Sequence, residues 1–522
     1  LEPDYLDGLK LIKSAKGYRT QYIRLNTRNF YTQTKYNLFQ EETEGYAKLV
    51  ETLNTPSPSK EHSSSKELAA TIRSLIGQFD LDPNRVFDLI LEAYEYRLHE
   101  HARFMPLFPL FRPDALRNLL GFKFQYYCKA KKQVPRSLSN LVAVLISKQA
   151  LTLSDIYPHL YPEDDAAKAA RVTYMQETNK AGRKIESSMN LSGKGDDVKE
   201  AATLSEQISV PRSRLNVKPF DGVADGEENQ KIGLLVSMLQ THDWKSASVL
   251  LAHMRALQPS QNPDVCKALC QRVTVLIHPI YKPVFATLFG KDAPGLPADL
   301  VQASRVTDAC KSLDDLTELV LPVLYHLGPN LCNDTVLLTK VLRLISHWVK
   351  TDAAAVPLER LLGRVVLPAL SGVPMNPSMA SNVWELLGKL PYTKRFQLYG
   401  QWTKAYDKHP TLVLQRAKAR AEMRKAVKRI STDAGMIKKC GKILGKLSHA
   451  NPIVVFHELL INIERSPNMV QPTVDSLKYI NPLSHDVLTY VLLDRLAQPS
   501  KSKLKSDGKN IEEWLRGIAP FT

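Results

Sequence analysis

The residues best suited to chemistry in this chain are cations. Arg416, Lys418, Arg420, Arg424, Lys425 and Lys428 follow one another at helical spacing, and Lys438, Lys439, Lys442 and Lys446 repeat the pattern shortly afterwards. On a helix, Arg416, Arg420, Arg424 and Lys428 span about 120°, and Lys438, Lys442 and Lys446 about 80°. Each row lies opposite an apolar one: Met423, Ala426, Val427 and Ile430 in the first case, Cys440, Ile443, Leu444 and Leu447 in the second. A basic stripe behind an apolar one is how a surface helix meets phosphates or carboxylates, and equally how it meets plain solvent. From Lys394 to Lys446 there are 15 basic residues against 3 acidic, and from Gly8 to Gln40 there are 7 basic and none acidic. The 522 residues hold 70 Lys+Arg and 53 Asp+Glu, a net charge of +17, so these two segments carry the whole excess. Such a patch concentrates a polyanion near it. Nucleic acid, an acidic protein surface and bulk water are the readings it leaves open.

Catalytic signatures fail on spacing. Gly441-Lys442-Ile443-Leu444-Gly445-Lys446-Leu447-Ser448 imitates a phosphate loop. Such a loop needs four residues between its glycines, Ser or Thr straight after the Lys, and a preceding strand. Here three residues separate the glycines, Leu447 follows the Lys, and the apolar spacing is that of a helix. Gly121–Tyr127 interleaves basic and aromatic residues, but RNA-stacking rings need a strand, and the residues before it are spaced helically. Core aromatics are expected there. In His99-Glu100-His101 the two imidazoles, two residues apart, point to different faces of a helix and do not share a metal easily. Cys266 and Cys270 share a helix face with no second pair to match them, and read as small buried side chains. Asp314-Asp315 reads as ordinary surface charge. No catalytic group, metal site or cofactor is expected, and an enzyme is not.

The elements that must position these groups are helices. Val86, Leu89, Ile90 and Ala93 repeat at i, i+3, i+4, i+7, as do Leu338, Val341, Leu342 and Ile345, and Phe456, Leu459, Leu460 and Ile463. Asp82-Pro83, Asn262-Pro263, Asn376-Pro377, Asn451-Pro452, Ser466-Pro467 and Asn481-Pro482 each put a good N-cap before a proline at the first helical position. The last three starts are 15 residues apart, room for a short helix and a tight turn. Such helices pack as antiparallel hairpins, each needing its neighbours to cover its apolar stripe. The expected fold is all-α, an elongated α-solenoid of antiparallel helical hairpins (HEAT/MIF4G-like) with flexible insertions. Asn54–Glu67, Lys184–Lys231, Asp292–Ala298 and Gln498–Asn510 read as linkers from their Ser, Pro, Gly and Lys content. The resulting division is a basic helical segment 1–53, a helical region 66–183, a flexible linker 184–231, a second helical region 232–434 and a further helical domain 435–522. A hydrophobic fraction of 44% excludes wholesale disorder. Six scattered cysteines are no disulfide framework and suit a reducing compartment. The longest apolar runs, Leu319–Leu324 and Val365–Leu370, contain proline or stop short of a membrane span. Because the chain does not begin with Met, it reads as a segment of a longer protein.

Several long strings resemble a known family. Asn37–Leu49 (NLFQEETEGYAKL), Phe79–Glu92, Leu120–Phe124, Leu398–Trp402 (LYGQW), Gly445–Phe456 and Val474–Tyr490 are similar, in order, to the large second subunit of the THO transcription–export (TREX) complex. The resemblance is to the N-terminal half of the animal-type subunit, and is weakest over 162–229 and 285–312. It implies a nuclear, non-catalytic α-helical scaffold. Such a scaffold holds the other THO subunits in a higher-order assembly and presents a DEAD-box RNA helicase to nascent mRNP. Transcription elongation and splicing are thereby coupled to mRNA export. It further implies that residues from about Lys438 open a middle domain of the kind with which translation-initiation scaffolds grip such a helicase. The aromatic and basic N-terminal segment, with Tyr18, Tyr22, Phe30, Tyr31 and Tyr36, suits docking of a partner helix or an acidic loop. Direct RNA binding through the basic 394–446 surface is the rival reading, and no membrane partner is expected.

Overall fold

The computed structural model describes residues 2–55, 63–191, 229–298, 300–301, 309–312, 314–351, 357–373, 375–430, 433–499, 502–505 and 510–521. Among them the chain is helical, with one isolated antiparallel bridge, Leu504 to Ile511, and no strand. It divides into two compact units, Leu1–Tyr161 and Pro162–Thr522.

In the first unit α1 (Ala15–Asn54) is followed by α2 (Ser63–Phe79), α3 (Pro83–Tyr96), α4 (Ala115–Lys129) and α5 (Arg136–Ser147). Asp82 caps α3 by accepting from the Asn84 N–H, and Pro83 takes the first position, where a missing N–H costs nothing. The apolar stripe of α3, Val86, Phe87, Ile90, Leu91 and Tyr94, is buried. Phe87 stacks on Phe111 at 4.4 Å between centroids, and Tyr94 on Phe104 at 5.2 Å. The aromatics of 121–127 depart from expectation. Phe124 is buried, but Phe122 and Tyr126 are 68% and 50% exposed, because only the face of α4 that carries Leu116, Leu120 and Phe124 is packed.

The second unit contains α6 (Asp164–Leu191), α7 (Gln230–Gln240), α8 (Trp244–His253), α9 (Pro263–Phe289), α10 (Leu321–Leu327), α11 (Thr335–Thr351), α12 (Pro377–Leu387), α13 (Tyr392–Lys408), α14 (Pro410–Lys428), α15 (Ala434–Ala450), α16 (Pro452–Arg465), α17 (Pro482–Ala497) and α18 (Glu513–Ile518). From α13 to α16 each helix packs on the next, as short helices with tight turns must. The side chains of Asn262, Asn376 and Asn481 cap α9, α12 and α17. Asn451 also precedes its proline but makes no such cap, because it is spent on a buried network. Tyr406 donates its single proton to Asn451 Oδ1 (2.8 Å), so Ser371 Oγ donates to Tyr406 (2.8 Å) and accepts from Trp402 Nε1 (2.8 Å). Asn451 Nδ2 closes the ring on the Ser371 carbonyl (3.3 Å).

Several sequence boundaries move. The expected linker 184–231 begins inside α6, which runs to Leu191, and it ends on a buried Lys231 that holds Asp164 at 2.6 Å. Residues 192–228 of it lie outside those described, as do 56–62 of the Asn54–Glu67 linker, and α2 already begins at Ser63. The expected region 66–183 is divided by the compact units after Tyr161. Helix α6 goes with the second unit because its most extensive packing is against α14, more than 200 residues later. Sequence periodicity sees a helix but not so distant a neighbour.

Candidate functional site

The ten cations singled out by spacing fall into two groups with different work. On α14 the arginine row is not a solvent face. Arg420 Nε and Arg424 Nε each reach a different oxygen of Glu458 at 2.8 Å, and Arg420 also reaches Glu186 at 3.2 Å. Glu458 is on α16 and nearly fully buried, and Glu186 is on α6. The two guanidiniums therefore tie three helices together through carboxylates. Arg416 pairs with Asp407 at the turn from α13. Lys418 and Lys425 flank Glu422, whose carboxyl is pushed above its ordinary value by burial and only partly pulled back by those two lysines. The expectation of an exposed arginine face on α14 is thus corrected for Arg416, Arg420 and Arg424. The physical reason is that α6 and α16 bring carboxylates to a side that looked free in the local pattern. Lys428 alone of that row is exposed.

On α15 the pattern stands as a surface. Lys438, Lys439, Lys442 and Lys446 are all exposed, while Cys440, Leu444 and Leu447 are buried behind them. The glycines of the phosphate-loop imitation serve packing. A Cβ on Gly441 would come within 2.8 Å of the Ser476 carbonyl oxygen, and one on Gly445 within 2.6 Å of the Tyr479 carbonyl oxygen. The helix can approach the 476–479 backbone only without side chains at those two positions.

The remaining candidates are structural. Cys266 is buried, donates to the Asn330 carbonyl (3.5 Å) and accepts from Asn333 Nδ2 (3.3 Å). The neighbouring Cys270 thiol is pushed far up by its bond to Cys266 and by burial. None of the six cysteines is in a disulfide. Arg395 grips Asp486 with Nε and Nη2, both at 2.9 Å, and Tyr399 donates to the same carboxylate at 2.7 Å, locking α13 to α17. The string Leu398–Trp402 is therefore a core element: Tyr399 and Trp402 are its two polar anchors.

A second basic assembly escaped the sequence reading. Arg255, Arg360, Arg364, Lys404 and Lys408 line one cleft of about 680 Å³ in the second unit, with His326 and His409 beside them and, among the described residues, no carboxylate in its lining. Pro322 and Pro368 in its walls each follow a similar helical break. The π turns Leu316–Val320 and Leu362–Val366 each end two residues before a proline, Pro322 and Pro368. A proline cannot donate to the carbonyl four residues back, so the chain widens just ahead of it. The repeated Val-Leu-Pro-x-Leu at 320–324 and 366–370 was the available signal. Between the walls Gly328 adopts φ 52°, ψ −132°, which a side chain would strain.

Comparison with known proteins covers both units. The family described as "THO complex subunit 2 N-terminus" matches residues 1–109, 114–308 and 304–438, and "Transcription- and export-related complex subunit" matches 444–519. The chain belongs to the THO complex subunit 2 family. It is 32% identical over its whole length to the THO complex subunit 2 proteins of Arabidopsis thaliana and Homo sapiens. It is 28% identical over 40% of its length to that of Saccharomyces cerevisiae. Identity is thus equal to plant and mammalian relatives. The chain covers 30% of the Arabidopsis protein and 33% of the human one, about a third of the curated relatives it matches. The two family descriptions change over between 438 and 444, within α15.

Proposed function

We propose that this chain is the docking part of a non-catalytic scaffold in a nuclear THO complex. It organises the other THO subunits and contributes to presenting a DEAD-box RNA helicase to nascent mRNP during transcription, splicing and mRNA export. The observation that carries this reading is α1. Residues 16–41 of that helix are exposed without interruption. Among them Ile23, Phe30, Tyr31, Tyr36, Leu38 and Phe39 are each more than 60% exposed. On the helical wheel Tyr18, Tyr22, Leu25, Tyr36 and Phe39 fall within about 100°, and Ile23, Phe30, Tyr31 and Leu38 within about 100° on the opposite side. A helix some 40 Å long over this stretch, with two apolar stripes and nothing covering them among the described residues, is not self-supporting. It is built to be gripped on both sides by other helices. The test is co-purification of the other THO subunits with the chain. Serine at Phe30, Tyr31, Leu38 and Phe39 should abolish it while the melting temperature of the chain stays unchanged. Undiminished co-purification refutes the docking role of α1. The chain alone should hydrolyse no ATP.

A second reading, direct RNA contact, draws on the exposed lysine ridge of α15 together with Lys428. Phosphate contacts release counterions, so RNA retention by this ridge should fall steeply with salt, whereas docking through apolar faces should persist. Exchange of Lys438, Lys442 and Lys446 for Glu, followed by filter binding across a salt series, separates the two.

A further inference from the structure

We propose that the cleft between the two proline-broken helices of the second unit is a binding site for a compact polyphosphate, a small molecule carrying several phosphate groups on one frame. Five cations line it: Arg255 from the turn after α8, Arg360 and Arg364 from the segment 358–370, and Lys404 and Lys408 from the end of α13. Among the described residues no carboxylate lines it. The acids nearest in sequence are engaged elsewhere, Glu359 with Lys394 and Asp407 with Arg416. None of the five side chains has an ion-pair partner among the described residues, and all five are exposed to the cleft or its mouth. Arg360 lies over the ring of Tyr325, 4.7 Å from its centroid, which fixes the guanidinium in the wall. Like charges gathered without counter-charge repel one another and weaken the folded state, so an arrangement of this kind marks a place where an anion supplies the missing charge. Both imidazoles are held below their ordinary values, His409 to about 4 by burial and then by Arg171 and Lys408, and His326 by burial and then by Arg255. They stay neutral at pH 7 and add hydrogen bonds without adding repulsion.

Shape favours a compact ligand over a nucleic-acid strand. The cations come from three separate segments and converge on one hollow, whereas a strand needs them in a track. A volume of about 680 Å³ is in the range of small-molecule sites. Arginine forks on a rigid wall with lysines facing them match several phosphates at fixed geometry.

The probe is inositol hexakisphosphate, titrated calorimetrically into the 522-residue chain. Saturable one-site binding is expected, with a rise in melting temperature as ligand is added. Replacing Arg360, Arg364 and Lys404 by Gln should weaken binding about tenfold per cation removed. The melting temperature of the unliganded variant should be equal or higher, since repulsion is relieved. Should that variant lose its thermal transition, Lys404→Gln alone must still weaken binding about tenfold. Lys438→Gln, Lys442→Gln and Lys446→Gln on α15 must leave binding unchanged. Absence of binding, several weak equivalent sites, or equal loss in the α15 variant overturns the proposal. So does a single-stranded RNA oligonucleotide that binds as tightly through the same three side chains.

Discussion

Glu458 is a single carboxylate on which two arginines depend. Its replacement by Gln leaves Arg420 and Arg424, both part-exposed, facing each other with only Glu186 between them beside a buried position 458. Removing one partner of such a network costs about 2 kcal/mol or more, read as a lowered denaturation midpoint. By the same argument, reversing Arg420 and Arg424 to Glu should unfold the α6–α14–α16 junction and cannot serve as a test of RNA binding. His409 makes a second prediction at this scale. Its folded-state value near 4 lies below the ordinary 6.5, so below pH 6.5 the unfolded chain takes up a proton that the folded chain refuses. Stability is full above about pH 6.5 and falls toward pH 4, by about 3 kcal/mol at most from this group. His242, His326 and His457 shift in the same direction through burial. Urea midpoints at pH 7 and pH 5 should differ, and His409→Gln should narrow the difference. The rows of cations were legible in the sequence because helical spacing is local. Their partners were not, since Glu186 and Glu458 lie 234 and 34 residues from the arginines they hold.

Helix α15 owes its place to what it lacks. Gly445→Ala drives a methyl group into the Tyr479 carbonyl, and the turn Leu477–Tyr479 must move. Overpacking of this sort costs about 1–3 kcal/mol. A thermal melt should show the loss, while Lys442→Glu on the outward face should leave the melt unchanged. The Asn-Pro and Asp-Pro starts were legible at this scale, because a capping side chain and a proline at the first position act within four residues. Asn451 is the instructive exception. The proline after it still begins a helix, but its amide is claimed by Tyr406 and Ser371, partners brought by tertiary packing. The π turns were not legible either, since proline signals a break without specifying a widened turn. The end of α6 was hidden by composition: its polar run resembles a linker until α14 is there to pack against it.

For the molecule as a whole, the class of fold was legible and the assignment of helices to neighbours was not. Apolar periodicity and regular helix starts suffice to exclude a central sheet. Which helix covers which stripe depends on contacts hundreds of residues apart, as α6 and α14 demonstrate. Among the described residues the long element whose stripes stay uncovered is α1, and the scaffold reading turns on it. Hydrogen–deuterium exchange on the chain alone and within a reconstituted THO complex measures this directly. Amides of residues 16–41 should exchange rapidly in the isolated chain and become strongly protected in the complex, with little change over the α13–α17 core. Equal exchange of that stretch in both states would contradict the account.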